Sequence, residues 1–395
     1  MRKKRHNPPK GGNAPSVGVL YASKDGEPDR WKAGLGRPVW NVVTITARSV
    51  RRGFFPLDRQ LGLKDPHWSE AVSKLAVWLS GLVSFEQAEE ILAKVGQIHL
   101  SDSSVWRQTQ HWGAGFVQAE EKAQAQAGQI ETHGGIVPGE AVGDDRLGVA
   151  MDGWMIHIRE EDWKEVKSGC IFRVSQQEKI DKITQEKIEV GKAVDLSYTA
   201  YLGGPEGFGQ KLWTEAKRRQ WTKAADTQAL GDGAVWIWNL VAEHFYDSVQ
   251  VVDWYHAKSH LVTAAHLLYG ESSPQMQAWL NAQETLLFEG HAERIGQAIR
   301  QAATKQAAEP EGARTEAGYF ETNKRRMEYL DRRMEGWIIG SGMIESGAKQ
   351  YQARFTGPGM RWSRAGAEHL LPVRSAILSN TFDLTWHQVY NSPLI

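Results

Sequence analysis

Apolar residues recur at helical spacing between Trp68 and about Trp112. Ala71, Leu75, Val77, Trp78 and Leu79 mark one face, and Ala88, Ile91, Leu92 and Val95 mark the face of a second segment. Ser84 followed three residues later by Gln87 forms a capping box, which predicts a helix over 85–95. After Gly96, the run Ser101-Asp102-Ser103-Ser104 supplies caps for a third helix carrying Val105, Trp106, Arg107, Gln108, Gln110 and His111.

Two helices, a turn and a capped polar helix make residues 66–117 helix-turn-helix-like, with a plain three-helix packing unit as the alternative. In the first case Ser103, Ser104, Arg107 and Gln108 face a DNA groove. The polar, glycine-rich stretch 118–145, helical only at its start, is the expected linker. Buried-strand runs follow at Leu147–Met151, Cys170–Val174 and Ser197–Leu202. Helix 209–219, strand 228–230, helix 235–245 and strand 249–252 come next. Three early strands followed by helix–strand alternation predict an α/β layer fold with a mixed sheet over 146–272. Residues 273–337 are expected to form a helical insertion. The segment 338–395 carries helix 343–354 and a last helix 363–379 in which Pro372 should produce a kink. Before all this, residues 1–65 comprise a basic, Pro/Gly-rich tail over 1–16, strand-like character at 39–46 and a turn at 54–58.

Composition narrows the class. Of 395 residues, 41% are hydrophobic and 10% aromatic, enough for a well-buried core. The 47 basic and 47 acidic residues cancel, so nucleic-acid binding would depend on where the cations cluster. The single cysteine, Cys170, cannot form an internal disulfide or a cysteine-based zinc site, which fits a reducing, cytosolic setting. No apolar run reaches the roughly 18 residues that a membrane span needs.

Three acids stand at sharp transitions. Asp152 follows the first buried strand, and Asp232 sits in Gly231-Asp232-Gly233-Ala234 at the end of another. Glu345 opens a helix after Gly340-Ser341-Gly342. Hard oxygen ligands converging from strand ends and a helix suit two Mg²⁺ (or Mn²⁺) ions, and the small flanking residues let a DNA backbone approach. Each acid alone could simply cap a turn. Asp253 and His256, in Asp253-Trp254-Tyr255-His256, read as an Asp–His pair linking a strand to a helix; a zinc site lacks an evident third ligand. Lys349, Arg354, Arg361, Arg364 and Arg374 flank Glu345 and alternate with aromatic residues, among them Trp362, and with glycines. That pattern favours phosphate contact.

These motifs, taken in order, make the chain resemble the ISKra-type insertion-sequence transposases, relatives of the Mutator-like DDE transposases. The matching stretches are Phe55-Pro56-Leu57-Asp58 with Leu61-Gly62-Leu63, Val83–Ala88, Met151-Asp152-Gly153 and Gly231–Ala234 with Trp236-Ile237. Asp253–His256, Gly340–Glu345 and Gly357–Trp362 through His369-Leu370-Leu371 complete them. The resemblance spans roughly residues 54–380 and implies an RNase H-like core interrupted by a helical insertion. Asp152, Asp232 and Glu345 would be its catalytic, metal-binding acids. It implies that Asp253 and His256 fill an accessory motif, with Asp253 the reserve for the second acid, and that Trp337 lies near flanking DNA. The family commonly carries a cysteine-bearing segment before Phe55; here Ala47–Arg52 stands there instead.

The implied activity is metal-dependent DNA cleavage and strand transfer. The expected partners are duplex DNA with terminal inverted repeats, target DNA and further copies of the chain in a synaptic complex, all in a nucleoid-associated cytoplasmic setting. An RNase H-fold nuclease or resolvase that cuts without joining, and a defective DNA-binding remnant, are the competing readings.

Overall fold

The computed structural model describes residues 68–132, 145–180, 187–271, 273–306 and 310–392. The basic tail, the strand-like stretch 39–46, the Phe55–Asp58 motif and Ala47–Arg52 lie outside them. The chain divides into two compact units. The described part of the first comprises residues 68–79 and 85–108, and that of the second 80–84, 109–132, 145–180, 187–271, 273–306 and 310–392.

In the first unit, α1 (Glu70–Leu82) buries Val72, Ala76 and Leu79, one turn apart, while α2 (Phe85–Lys94) buries Ala88 and Leu92. Helix α3 (Asp102–Thr132) starts where the serine run predicts. Ser101 Oγ accepts the Ser104 amide at 3.3 Å, and Glu89 Oε2 accepts the amide of Asp102 at 2.8 Å. The helix then runs straight through the expected linker start at 118. Ala-Glu-Glu-Lys-Ala-Gln-Ala-Gln contains strong helix formers without an apolar stripe, so periodicity alone misses it. Within the second unit Lys211 pairs with Glu120 at 2.6 Å and Gln124 with Gln210 at 2.7 Å, holding this polar stretch in place.

The second unit is mixed α/β. Strands β1 (Arg146–Ile158), β2 (Asp162–Ile180), β3 (Lys187–Tyr201), β4 (Asp226–Gly231) and β5 (Val249–Val252) form one sheet in the order β3-β2-β1-β4-β5. The pairs β1/β2 and β2/β3 are antiparallel, whereas β1/β4 and β4/β5 are parallel. The early strands are much longer than expected, because their apolar middles continue into exposed arms such as Ser175–Ile180 that lack a burial pattern.

Strand parity assigns the faces. Gly169 of β2 would drive an added Cβ into Phe208 and Leu212 of α4 (Pro205–Arg218), so odd positions there and their β1 partner Met151 look toward α4. Trp154 looks the other way and stacks on Tyr351 of α11 (Gly342–Phe355), with ring centroids 5.9 Å apart. Asp152 shares its face.

Helices α5 (Val235–His244) and α6 (Trp254–Tyr269) follow β4 and β5. Among the described residues, the stretch 273–337 carries four α-helices: α7 (Pro274–Phe288), α8 (Ala292–Gln306), α9 (Pro310–Asn323) and α10 (Tyr329–Met334). After α11 come α12 (Arg364–Leu378), with Pro372 inside it, and α13 (Phe382–Asn391). The sequence reading stopped short of α13, although Phe382, Trp386, Val389 and Tyr390 are buried on one face of it. Trp386 and Tyr390 pack on Trp112 of α3. No described helix is long and apolar enough to cross a membrane.

Candidate functional site

The parallel part of the sheet fixes where Asp152, Asp232 and Asp253 stand; Asp152 and Asp232, expected to share a metal with Glu345, are not part of the metal-capable group that contains Glu345. The β1/β4 ladder ends at Ala150↔Leu230, yet β1 continues for eight residues on its β2 side, to Ile158. Asp152 is therefore a mid-strand residue rather than a strand-end one. It lies beyond the last β4 partner, at the carboxyl ends of the parallel strands, where α/β sheets open a crevice. Asp232 follows the last residue of β4 and Asp253 the last of β5. Asp232 folds back on itself, with Oδ1 accepting the Ala234 amide at 2.8 Å. Its carbonyl accepts the Tyr319 hydroxyl of α9 at 2.9 Å.

Gly233 makes this turn possible. Its φ is +105°, and an added Cβ would stand 2.7 Å from the Tyr319 ring. Gly233→Ala is expected to cost about 2 kcal/mol in urea unfolding and to weaken any function that uses Asp232. A stability within about 0.5 kcal/mol of wild type would show that the turn tolerates a side chain.

Asp253 is a different kind of acid. It is fully buried. Oδ1 accepts both the His256 amide at 2.7 Å and His256 Nδ1 at 3.0 Å, capping α6. Oδ2 accepts the Ser341 amide, and the Trp254 amide reaches the Ile339 carbonyl at 2.9 Å. These bonds fasten the segment before α11 to the end of β5. Glu345 is thereby delivered in the first turn of α11, its Oε1 3.4 Å from Ser341 Oγ.

The charges of these groups act on one another. Burial raises Asp152 to a pKa of about 6, and the negative charges of Asp232 and Glu345 push in the same direction; the Gly153 amide and His256 oppose them. For Asp253 burial also acts upward but is outweighed by the hydrogen bonds from His256 and Ser341, which leave it below the ordinary aspartate value. His256 is raised, first by its hydrogen bond to Asp253 and then by the charges of Asp253, Asp232 and Asp152, against the opposing effect of burial. The charge of Asp232 is among the influences that raise Asp152. Among the described residues, neither Asp152 nor Asp232 has a lysine or arginine ion pair, and Glu345 has only the exposed Lys349 at 4.0 Å.

Asp253, His256 and Glu345 form a group able to hold a metal ion, their ligand atoms lying within 4.8 Å of one another. The sequence offered no third ligand beside Asp253 and His256; the fold supplies Glu345 from a distant helix. Because Asp253 already accepts three hydrogen bonds, His256 and Glu345 have the greater spare capacity to coordinate. Two carboxylates and one imidazole fit a divalent cation.

No protein-family model matches this chain, and no curated protein does either.

The residues expected to touch DNA divide sharply. Ser103 and Arg107 are exposed on α3, and Arg107 donates to Ser104 Oγ at 2.9 Å. Gln108 is buried, so it faces inward rather than toward a groove, and exposed Trp106 takes the outer position. Trp337 is buried, with the Arg146 guanidinium 3.6 Å above its ring; as placed, it presents no face to DNA. Arg354 is also buried. It donates to the Ser80 carbonyl, and desolvation pushes it down to about 10. Trp362 gives its indole N–H to the Phe355 carbonyl at 2.8 Å, and Arg364 is engaged by Glu161 and Glu368. Arg354 thus ties α11 to the Ser80 end of α1, and Arg364 ties the start of α12 to the turn between β1 and β2. Lys349 and Arg361 remain exposed. Tyr319 and Glu316, which join α9 to the Asp232 turn and to His260, escaped the sequence reading. Its one signal was His260, four residues after His256.

Proposed function

We propose that this protein is a divalent-metal-dependent enzyme that cuts and joins DNA strands, a transposase of the DDE type on an RNase H-like core. The observation that carries this reading is the position of Asp152 and Asp232 at the carboxyl ends of the parallel strands, with the charges of Asp232 and Glu345 acting on Asp152 and no lysine or arginine ion pair at either aspartate among the described residues. The sheet order, three antiparallel strands leading and helix–strand alternation following, supports the RNase H-like assignment. The four helices between α6 and α11 support a core interrupted by an insertion.

In this reading Asp152, Asp232 and Glu345 hold Mg²⁺ or Mn²⁺, and His256 offers one further ligand atom. Bound divalent cations activate the attacking oxygen and stabilise the leaving oxygen of a phosphodiester. Asp253 positions Glu345 and orients His256 without touching substrate. Tyr319 fixes the Asp232 turn. Exposed Lys349 and Arg361 contact phosphates beside the acids, and the helical segment with Ser103 and Arg107 supplies a further DNA contact.

The test is a cleavage and strand-transfer assay with duplex DNA carrying the inverted repeats that flank the reading frame, in Mg²⁺ or Mn²⁺. Cleaved ends joined to target DNA are the expected product. Cutting without joining would identify a nuclease or resolvase, and binding without cutting in either ion a DNA-binding remnant.

A further inference from the structure

His260 stands one turn after His256 on α6, so both rings leave the same face of that helix. The ligand atoms of His256, Asp253 and Glu345 lie within 4.8 Å of one another, which places this face along the acidic site. The His260 ring is held on two sides. Nδ1 lies 2.7 Å from Oε2 of Glu316, a largely buried carboxylate on α9. One ring face stacks on Tyr319, with centroids 3.7 Å apart and planes 21° apart. The hydroxyl of that same tyrosine reaches the Asp232 carbonyl at 2.9 Å. His260 is thus one aromatic ring away from the Asp232 turn. With Nδ1 engaged, Nε2 is the nitrogen left for solvent, and 37% of the side chain is exposed.

A ring needed only to pack on Tyr319 would not require a carboxylate behind it, since desolvating that carboxylate costs free energy. A carboxylate bonded to one imidazole nitrogen does serve a ring whose other nitrogen must meet a ligand in a fixed orientation. It also offsets the charge of a ring carrying protons on both nitrogens, the form that can donate to Glu316 and to an anion at once. Resting on the DNA-processing reading above, we propose that His260 binds a backbone phosphate of the strand that passes the Asp232 turn, donating from Nε2.

The experiment is equilibrium binding of a dye-labelled DNA duplex to the full chain without divalent metal, followed over a range of NaCl concentrations. His260→Ala is expected to weaken binding about tenfold and to make the log–log salt dependence shallower by about one. His260→Lys, which restores a cation, should recover most of both. Unchanged affinity and slope in His260→Ala would overturn the proposal. So would weakened binding with an unchanged slope that lysine does not rescue, because that is the signature of a purely structural ring. Should the alanine variant fail to fold, His260→Gln beside His260→Lys decides: equal binding by the two overturns it. Absence of DNA binding by the wild-type chain at any salt concentration would instead remove the DNA-processing reading, and this inference with it.

Discussion

Asp152→Asn is expected to abolish metal-dependent strand cleavage, by at least about a thousandfold, while making the metal-free protein more stable at neutral pH. The two effects share one cause. In the fold, burial and the neighbouring charges of Asp232 and Glu345 raise the Asp152 carboxyl from 3.8 to about 6. A raised carboxyl pKa means that the native state holds a proton that the unfolded chain releases. Below the unfolded value, both states are protonated and no penalty arises. Stability then falls as pH rises between 3.8 and about 6, and above that the whole penalty is present. The shift corresponds to at most about 3 kcal/mol. Asparagine at 152 removes the penalty, so urea unfolding in EDTA should favour the variant at pH 7.5 and show no difference near pH 3. Adding Mn²⁺ should reverse the order, stabilising wild type more than the variant. A variant no more stable than wild type at pH 7.5 would mean that the carboxylate lies outside the shared field. Full activity in the variant would end the three-acid mechanism.

Asp253→Ala is expected to damage the fold itself. The carboxylate accepts three hydrogen bonds with no exposure to solvent, and removing it strands the amides of His256 and Ser341 and the His256 ring. The cost should reach about 3 kcal/mol or more, with a loss of activity because the segment leading to Glu345 comes free. The signs of the two shifts define a pH window. The lowered Asp253 contributes stability above its unfolded value, lost as pH falls through its lower folded one. The raised His256 contributes stability that is full below 6.5 and lost as pH rises through its higher folded value. The wild-type advantage over the alanine variant should therefore be greatest between the two, around pH 5 to 6, and shrink on both sides in a series of urea titrations. A pH-independent difference would show that the pair acts through packing alone.

Much of the fold was legible because its signals are local. The apolar runs at Leu147–Met151 and Val249–Val252 and the short strand around Ala229 lie inside observed strands, and helices 235–245 and 343–354 shift by only a residue. Ser101 and Asp253 act as caps, and a cap is read from side chains within three residues of the helix start. The misses have physical reasons of their own. Residues 118–132 are helical without an apolar face, and the arms of β2 and β3 carry no burial pattern, so periodicity is silent on both. Asp152 was placed at a strand end because the buried run stops there. The strand goes on, since its other edge still pairs with β2.

The site divides along the same line. Which residue types could hold hard cations, and that small residues surround them, was set by the chain itself. So was the pairing of Asp253 with His256, three positions apart on one helical turn. What each group does once folded was decided in three dimensions. Arg354, Trp337, Trp362 and Gln108 look like surface groups in sequence but are covered by partners far along the chain or turned inward. Glu345 reaches His256, and Glu316 reaches His260, only through the packing of separate helices. Local patterns fix hydrogen bonds and periodic faces within a few residues, whereas the field at a carboxylate depends on whichever charges and apolar walls the whole fold brings within a few ångströms.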